Sequence, residues 1–394
     1  MRIVDVCAFY SPQGGGVRTY VERKWAAMTA LGHEMIVLAP GERDEVVERA
    51  PGAILATIAA PKLVLDRRYR YFSDEAALHR ALDRWQPDFV EASSPWSSAS
   101  MVNRWQGAAP RSLVMHADPL ASYAYRWFGR VAKRDTIDRG FSWFWRHLRQ
   151  LDQGTNLVVS ASAGLSRRLS AGGLAKIATI PMGVEPGVFS PLRRDSALRA
   201  ELLAGCGLDE RAMLLVGAGR LASEKRWPMV IRAVAEASQD RPIGLVIAGG
   251  GREETRVRRA TRGLPNVRLL GRLEGRGEFA RLLASGDALV HGCESETFCM
   301  AAAEARASGL PLIVPDAGGA YDQLLPGAGR AYRAGDMRSL AWAIRRFADH
   351  GFVRQHAVAT EGARVRTMDE HFAELSRRYE ALAGVAERPF LQAA

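Results

Sequence analysis

The chain has 394 residues, 47% of them hydrophobic and 25% charged, a globular balance that excludes a disordered or fibrous protein. That length exceeds one ordinary domain and suits two of roughly 150–200 residues. Lys and Arg number 54 against 43 Asp and Glu, a formal net charge of +11, which calls for an anionic substrate, an acidic membrane surface or nucleic acid as counterpart. In chain order, the first half predicts a strand over 2–10, a helix over 17–31, a strand over 34–39, a helix over 73–85, and strands over 89–92, 111–115 and 157–160. Strands alternating with helical patterns mean βαβ units and a parallel sheet. Pro and Gly crowd 181–187, a linker signal. A second alternation follows, with strands at 213–218, 244–248, 267–270, 288–291 and 311–314 and helices at 228–238, 252–261, 277–285 and 300–308. An amphipathic helix at 369–386 ends the pattern.

The fold expectation is therefore α/β, two doubly wound Rossmann-like domains facing a central cleft, with ligands at the carboxyl ends of the strands. The boundaries are 1–185 for an N-terminal domain, onto which the helix in 369–394 packs back, and 186–368 for a C-terminal one. Four cysteines without a CxxC pair form no disulfide framework and suit reduced thiols. The first strand, interrupted by Asp5, is no signal peptide, and no uncharged run of 18 apolar residues is present to span a membrane. These features suit a cytoplasmic protein.

The sharpest local signal is Glu296-Thr297-Phe298-Cys299-Met300, a loop running into an alanine-rich helix that carries Glu304. Backbone N–H groups at such a helix start suit anionic oxygens, and carboxylates at its two ends suit hydroxyls of one elongated ligand. Gly14-Gly15-Gly16 ends the first strand and opens a helix, so Gly15 and Gly16 bring backbone amides to a ligand with no side chain in the way. Arg220 and Lys225 follow another strand end. They suit a diphosphate, Arg through its planar fork and Lys as a point charge.

Taken together in this order, these motifs resemble the retaining family-4 glycosyltransferases of the GT-B fold. The resemblance includes 11–17, the Ile180-Pro181-Met182-Gly183-Val184 segment with Phe189 and Pro191, and Gly219-Arg220-Leu221 leading to Lys225. It continues through Gly249-Gly250-Gly251, the Glu-x7-Glu pair and Gly318-Gly319. It implies transfer of a hexose from a UDP- or GDP-linked sugar, with Glu296 holding sugar hydroxyls and Glu304 the ribose. It also implies that His116, at the end of a first-domain strand, reaches the donor sugar, with Asp118 beside it. In such a reaction negative charge grows on the departing diphosphate, and fixed positive charge lowers the barrier. No Asp-x-Asp pair is present to bring a metal, so neither metal nor cofactor is expected. Cys299 stands where the family usually has Gly, and Asp322 where it has Glu. His291, Cys293 and Cys299 have no zinc spacing and read as packing.

The acceptor side is expected around 123–150, which holds eight aromatic and seven basic residues. Asp118, Tyr123, Tyr125 and Trp127 are the acceptor candidates, and Tyr69, Tyr71 and Phe72 repeat the theme among Arg67, Arg68 and Arg70. Rings with Arg suit an anionic bilayer surface, hence a lipid, lipid-linked or glycan acceptor and a peripheral place on the inner face of the plasma membrane. The alternative reading is a core-facing aromatic helix with a solvated basic back. Rival functions are a GT-B sugar-nucleotide epimerase, a transferase with a soluble acceptor, a phosphorylase and a nucleic-acid-binding protein. The last lacks any helix-turn-helix, RRM or zinc pattern, so no nucleic acid is expected. A nicotinamide dehydrogenase needs a third glycine after the first strand.

Overall fold

A computed structural model describes residues 1–11, 16–63, 69–118, 134–349 and 352–384, together with Leu120 and Ala124. The chain divides into two compact units. One comprises Met1–Ala117, Val131–Pro181 and Met368–Ala394, the other Asp118–Arg130 and Met182–Thr367. The division falls after Pro181 rather than at 185, and it puts Asp118 with the second unit, not with the expected N-terminal domain.

The first unit is built on β1 (Arg2–Val6), β2 (Glu34–Gly41), β3 (Glu45–Ala50), β4 (Ala53–Ala59), β5 (Phe89–Ala92), β6 (Arg111–Met115), β7 (Leu157–Ser160) and β8 (Ile177–Thr179). They form one sheet in the order β3-β4-β2-β1-β5-β6-β7-β8. All neighbours are parallel except β3, which pairs antiparallel with β4 at the sheet edge. The sequence reading missed this hairpin. β3 is Glu-Val-Val-Glu-Arg-Ala, mostly exposed, the charged and apolar mixture that keeps an edge strand from pairing with another chain. β1 ends at Val6, not at 10. The helix Met368–Ala383 belongs to this unit: Tyr379 stacks on Phe89 of β5 with ring centroids 3.9 Å apart.

The second unit is built on β9 (Met213–Ala218), β10 (Ile243–Ala248), β11 (Val267–Gly271), β12 (Ala288–Val290), β13 (Leu312–Pro315) and β14 (Gly329–Tyr332), in the order β11-β10-β9-β12-β13-β14. Every pairing is parallel. β9 and β10 are buried along their whole length, as expected of strands covered on both faces. In chain terms the order is 3-2-1-4-5-6, and β4-β2-β1-β5-β6-β7 repeats it in the first unit. In such sheets the ligand site lies where the order reverses. That places one switch point between β1 and β5 and another between β9 and β12.

The aromatic segment needs a correction. In the helix Ser142–Gly154, Phe144 and Trp145 are buried, as is Phe72 upstream. Trp143 is exposed, at 56%, together with Arg146 and Arg149 on the same helix. The core-facing reading therefore holds for Phe72, Phe144 and Trp145, whereas Tyr71 and Trp143 are exposed; on the helix this split follows its amphipathic 3.6-residue period. Tyr123, Tyr125 and Trp127 lie outside the described residues, as do Arg67 and Arg68. The four cysteines are free and buried.

Candidate active site

In the second unit the loop after β9 is shaped by two left-handed positions, Gly219 at φ 137° and Arg226 at φ 52°. The Trp227 indole N–H donates to the Arg220 carbonyl over 2.9 Å and pins the loop to the core. This turn brings the Lys225 ammonium onto the Glu296 carboxylate, which arrives on the loop after β12. Sequence-distant residues thus meet at the β9–β12 switch point. Beside them Arg226 grips Glu294 with two hydrogen bonds. Arg220 is not brought to this pair: its side chain is 77% exposed and donates to Glu224 over 3.0 Å.

The electrostatics of the pair are mutual. Burial disfavours charge on Lys225, but Glu296 outweighs it and the lysine's affinity for its proton rises. Burial likewise pushes Glu296 up, and Lys225 with His291 pulls it well below the usual carboxylate range. Both groups are charged at neutral pH. His291, buried after β12, is held below its ordinary value by burial and by Lys225, despite Glu296.

The Glu296 loop is locked from three sides. The Gly319 N–H donates to the Glu296 carbonyl over 2.7 Å, and a Cβ on Gly319 would meet the Phe298 backbone at 2.6 Å. Gly318, at φ 79°, presses on the Glu294 carbonyl where a Cβ would come to 2.2 Å. Those two approaches are why Gly-Gly stands there. The Tyr332 hydroxyl donates to the His291 carbonyl over 2.8 Å. Asp322 closes the short helix Gly319–Asp322. Phe298 and Cys299 are buried, while Thr297 and Met300 are partly exposed.

Cys299 precedes the helix Met300–Ala307 at φ 68°, ψ 75°. This is a left-handed conformation that glycine adopts freely and a cysteine adopts only at a cost of about 1–3 kcal/mol. The usual glycine at this position thus has a backbone reason. The Cys299 sulfur turns inward, 3.6 Å from the His291 Nε2. Burial raises its thiol, and Glu296 adds to that.

Glu304, on the buried face of the same helix, is held by the Arg276 guanidinium. Arg276 also donates to Glu185 over 3.1 Å and lies 4.9 Å from the centre of the Phe189 ring. Burial works against its charge and Glu304 more than restores it. Sequence reasoning does not single out Arg276, since nothing in a basic chain marks one Arg after a glycine loop.

In the first unit, Gly16 opens the helix Gly16–Ala30, while Gly15 lies outside the described residues. Lys24 on that helix is fully buried against Asp5 of β1, at 3.1 Å, and Glu91 of β5. The Ser93 hydroxyl contacts Asp5 at 2.5 Å and Glu91 at 2.9 Å. The Tyr379 hydroxyl donates to Glu91 over 2.6 Å. Burial lifts Asp5 to about 6 against the pull of Lys24. His116, just past β6, meets the Tyr20 ring edge-on with centroids 4.7 Å apart. Burial lowers it to about 4, although Glu91 opposes the change. Asp118, two residues on, is partly exposed. A signal for this cluster exists: Tyr20, Val21, Lys24, Trp25 and Met28 share one helical face, so Lys24 interrupts an apolar stripe.

Comparison with known proteins agrees with this arrangement. Residues 14–188 match the Glycosyltransferase Family 4 model and residues 201–364 the model for Glycosyl transferases group 1. A GDP-mannose-dependent alpha-(1-6)-phosphatidylinositol dimannoside mannosyltransferase of Mycobacterium tuberculosis is 31% identical over 80% of this chain and 79% of its own. A GDP-mannose-dependent alpha-mannosyltransferase of Corynebacterium glutamicum is 28% identical over 98% of this chain and 91% of its own. Among solved structures, sucrose-phosphate synthase from Thermosynechococcus elongatus covers 98% of this chain and 100% of its own with a TM-score of 0.75. Its 18% identity speaks for the fold alone. With the sheet order, the Lys–Glu pair at the switch point and these relatives, the chain belongs to the family-4 glycosyltransferases of the GT-B fold and is a hexosyltransferase that uses a nucleotide sugar.

Proposed function

We propose that the chain transfers mannose from GDP-mannose to a phosphatidylinositol-type glycolipid, with retention at the anomeric carbon and without a metal ion. The carrying observation is the Lys225–Glu296 pair at the β9–β12 switch point. When the bond from the anomeric carbon to the diphosphate oxygen breaks, its electrons remain on the diphosphate. A preorganised cation there is worth about 3 kcal/mol of barrier. Lys225 supplies that cation, Glu296 takes the sugar hydroxyls, and Glu304 takes the ribose hydroxyls while sharing its carboxylate with Arg276. The acceptor hydroxyl attacks the same face and gives its proton to the departing diphosphate, which yields the retained anomer. The choice of mannose, GDP and a lipid acceptor is supported by the relatives' names. Among the described residues no helix is long and apolar enough to cross a membrane; the reading places contact with the lipid acceptor peripherally, at the inner face of an anionic membrane. Exposed Trp143 with Arg146 and Arg149 supports contact there.

The test is a panel of GDP-mannose, UDP-glucose and UDP-N-acetylglucosamine scored by thermal shift, since a donor that binds the native state raises Tm by mass action. Transfer to phosphatidylinositol mannosides in vesicles, with and without EDTA, completes it. GDP-mannose alone should raise Tm, and an α-linked product should form in EDTA. Stabilisation by UDP-sugars only would overturn the donor assignment, and loss of transfer in EDTA would overturn metal independence.

A further inference from the structure

We propose that His291, Glu296 and Cys299 form a site for a thiophilic divalent cation of the zinc class, and that its occupancy excludes the nucleotide-sugar donor. The His291 Nε2 lies 3.6 Å from the Cys299 sulfur and 3.6 Å from the Glu296 Oε1. All three donor atoms fall within 4.8 Å of one another. A tetrahedral ion with zinc-like bonds to nitrogen, oxygen and sulfur requires edges of about 3.4 Å between N and O and about 3.6 Å between N and S. Two edges of the triangle therefore already have coordination length. The third, sulfur to carboxylate oxygen, closes with a movement of at most about 1.2 Å.

The triad belongs to this chain's own departure from its family. Only a side chain at 299 completes it, and the left-handed backbone there turns the sulfur inward against His291. The loop that carries it is locked by Gly318, Gly319 and Tyr332. A Cys/His/carboxylate set selects zinc or cadmium over magnesium or calcium. On binding, the Cys299 S–H bond breaks, its proton leaves to solvent and the sulfur bonds the metal. Glu296 turns from the Lys225 ammonium to the ion. Lys225 and the metal thus compete for one carboxylate, which makes the site weaker than a structural zinc centre and reversible. Metal binding stands on this geometry alone. Competition with the donor rests on the donor-binding reading of Glu296, so the two are measured separately.

The experiment titrates the full-length reduced protein with Cd²⁺ and follows the thiolate-to-cadmium charge-transfer band in the ultraviolet, with Zn²⁺ as the displacing ion. One equivalent should saturate the band in the native chain and in Cys293→Ser. The band should vanish in Cys299→Gly, and cadmium affinity should fall about tenfold or more in His291→Asn. Circular dichroism checks that each variant folds, and His291→Asn decides the matter if Cys299→Gly does not. No band at one equivalent, or a band undiminished in both variants, overturns the site. Saturating GDP-mannose should raise the cadmium midpoint at least tenfold. An unchanged midpoint, where GDP-mannose itself raises Tm, overturns the competition and leaves the metal site standing.

Discussion

Lys24 lies between β1 and β5 of the first unit, and Lys225 lies between β9 and β12 of the second, equivalent junctions of two sheets with the same central strand order. The two lysines are used in opposite ways. Lys24 has no exposure, and its partners Asp5 and Glu91 have none; further bonds from Ser93 and Tyr379 reach those carboxylates. Lys225 keeps 13% exposure and Glu296 keeps 24%. A cation held by internal carboxylates in a dry cluster is a structural element, since freeing it would strand two buried charges. A cation held by one solvent-reached carboxylate is exchangeable, and an arriving diphosphate can take the carboxylate's place. The same topology thus yields a lock in one unit and, on the proposed function, a binding group in the other.

The strongest way to break that comparison is to delete each cation. Lys24→Met leaves Asp5 and Glu91 facing each other without a counter-charge, and stability should fall by about 3–5 kcal/mol. Lys225→Ala strands a partly buried carboxylate that water still reaches and should lose less, about 1–2 kcal/mol. Urea unfolding of both variants measures the difference, and equal losses would end the distinction. Activity should invert the order. Lys225→Ala should lower kcat by about 10²–10³ with KM little changed, whereas Glu304→Ala should weaken GDP binding about tenfold while sparing kcat at saturation. Calorimetry with GDP beside steady-state kinetics separates the two, and matching profiles would remove the division of labour between the carboxylates.

How far the sequence alone reaches follows the same contrast. The strands β9 and β10 are legible because both faces are covered and the run of apolar residues is unbroken. The β3–β4 hairpin is not, because its outer strand, Glu-Val-Val-Glu-Arg-Ala, mixes charge with valine without a period and carries no core signal. Glu296, Glu304 and Lys225 are legible as motif residues, since each stands in a short local pattern, and the fold then brings Lys225 to Glu296. The partnership of Glu304 with Arg276 is not, because it depends on how two helices meet. His291 reads as packing, yet the structure sets its ring beside Glu296 as well as Cys299. Local spacing among His and Cys omits the carboxylate. Lys24 lies between these cases: its place on an apolar stripe is visible, and its partners Asp5 and Glu91 each interrupt an apolar strand. Only the sheet order shows that β1 and β5 are neighbours.

The smallest effect concerns His116, which shares the first unit with the Lys24 cluster. Folded, it stays neutral down to about pH 4, since burial lowers its affinity for protons. The unfolded chain takes up a proton at the ordinary histidine value near 6.5. Between those values the unfolded state binds more protons, so stability from this residue falls as pH drops from about 6.5 toward about 4. Asp5 runs the other way: lifted to about 6 by burial, it binds its proton more readily folded than unfolded and gains stability as pH falls through that value. The two oppose each other in the native chain, and a simple pH scan of it mixes them. His116→Gln removes one and keeps the other. Subtracting the variant's unfolding free energy from that of the native chain should leave a loss on the order of 1 kcal/mol between pH 7 and pH 5, reduced from the full shift by the partial exposure of the ring. A flat difference would mean that His116 titrates as an ordinary surface histidine. His116 would then be open to solvent, and the sealed-against-open contrast would hold for the first unit's lysine alone.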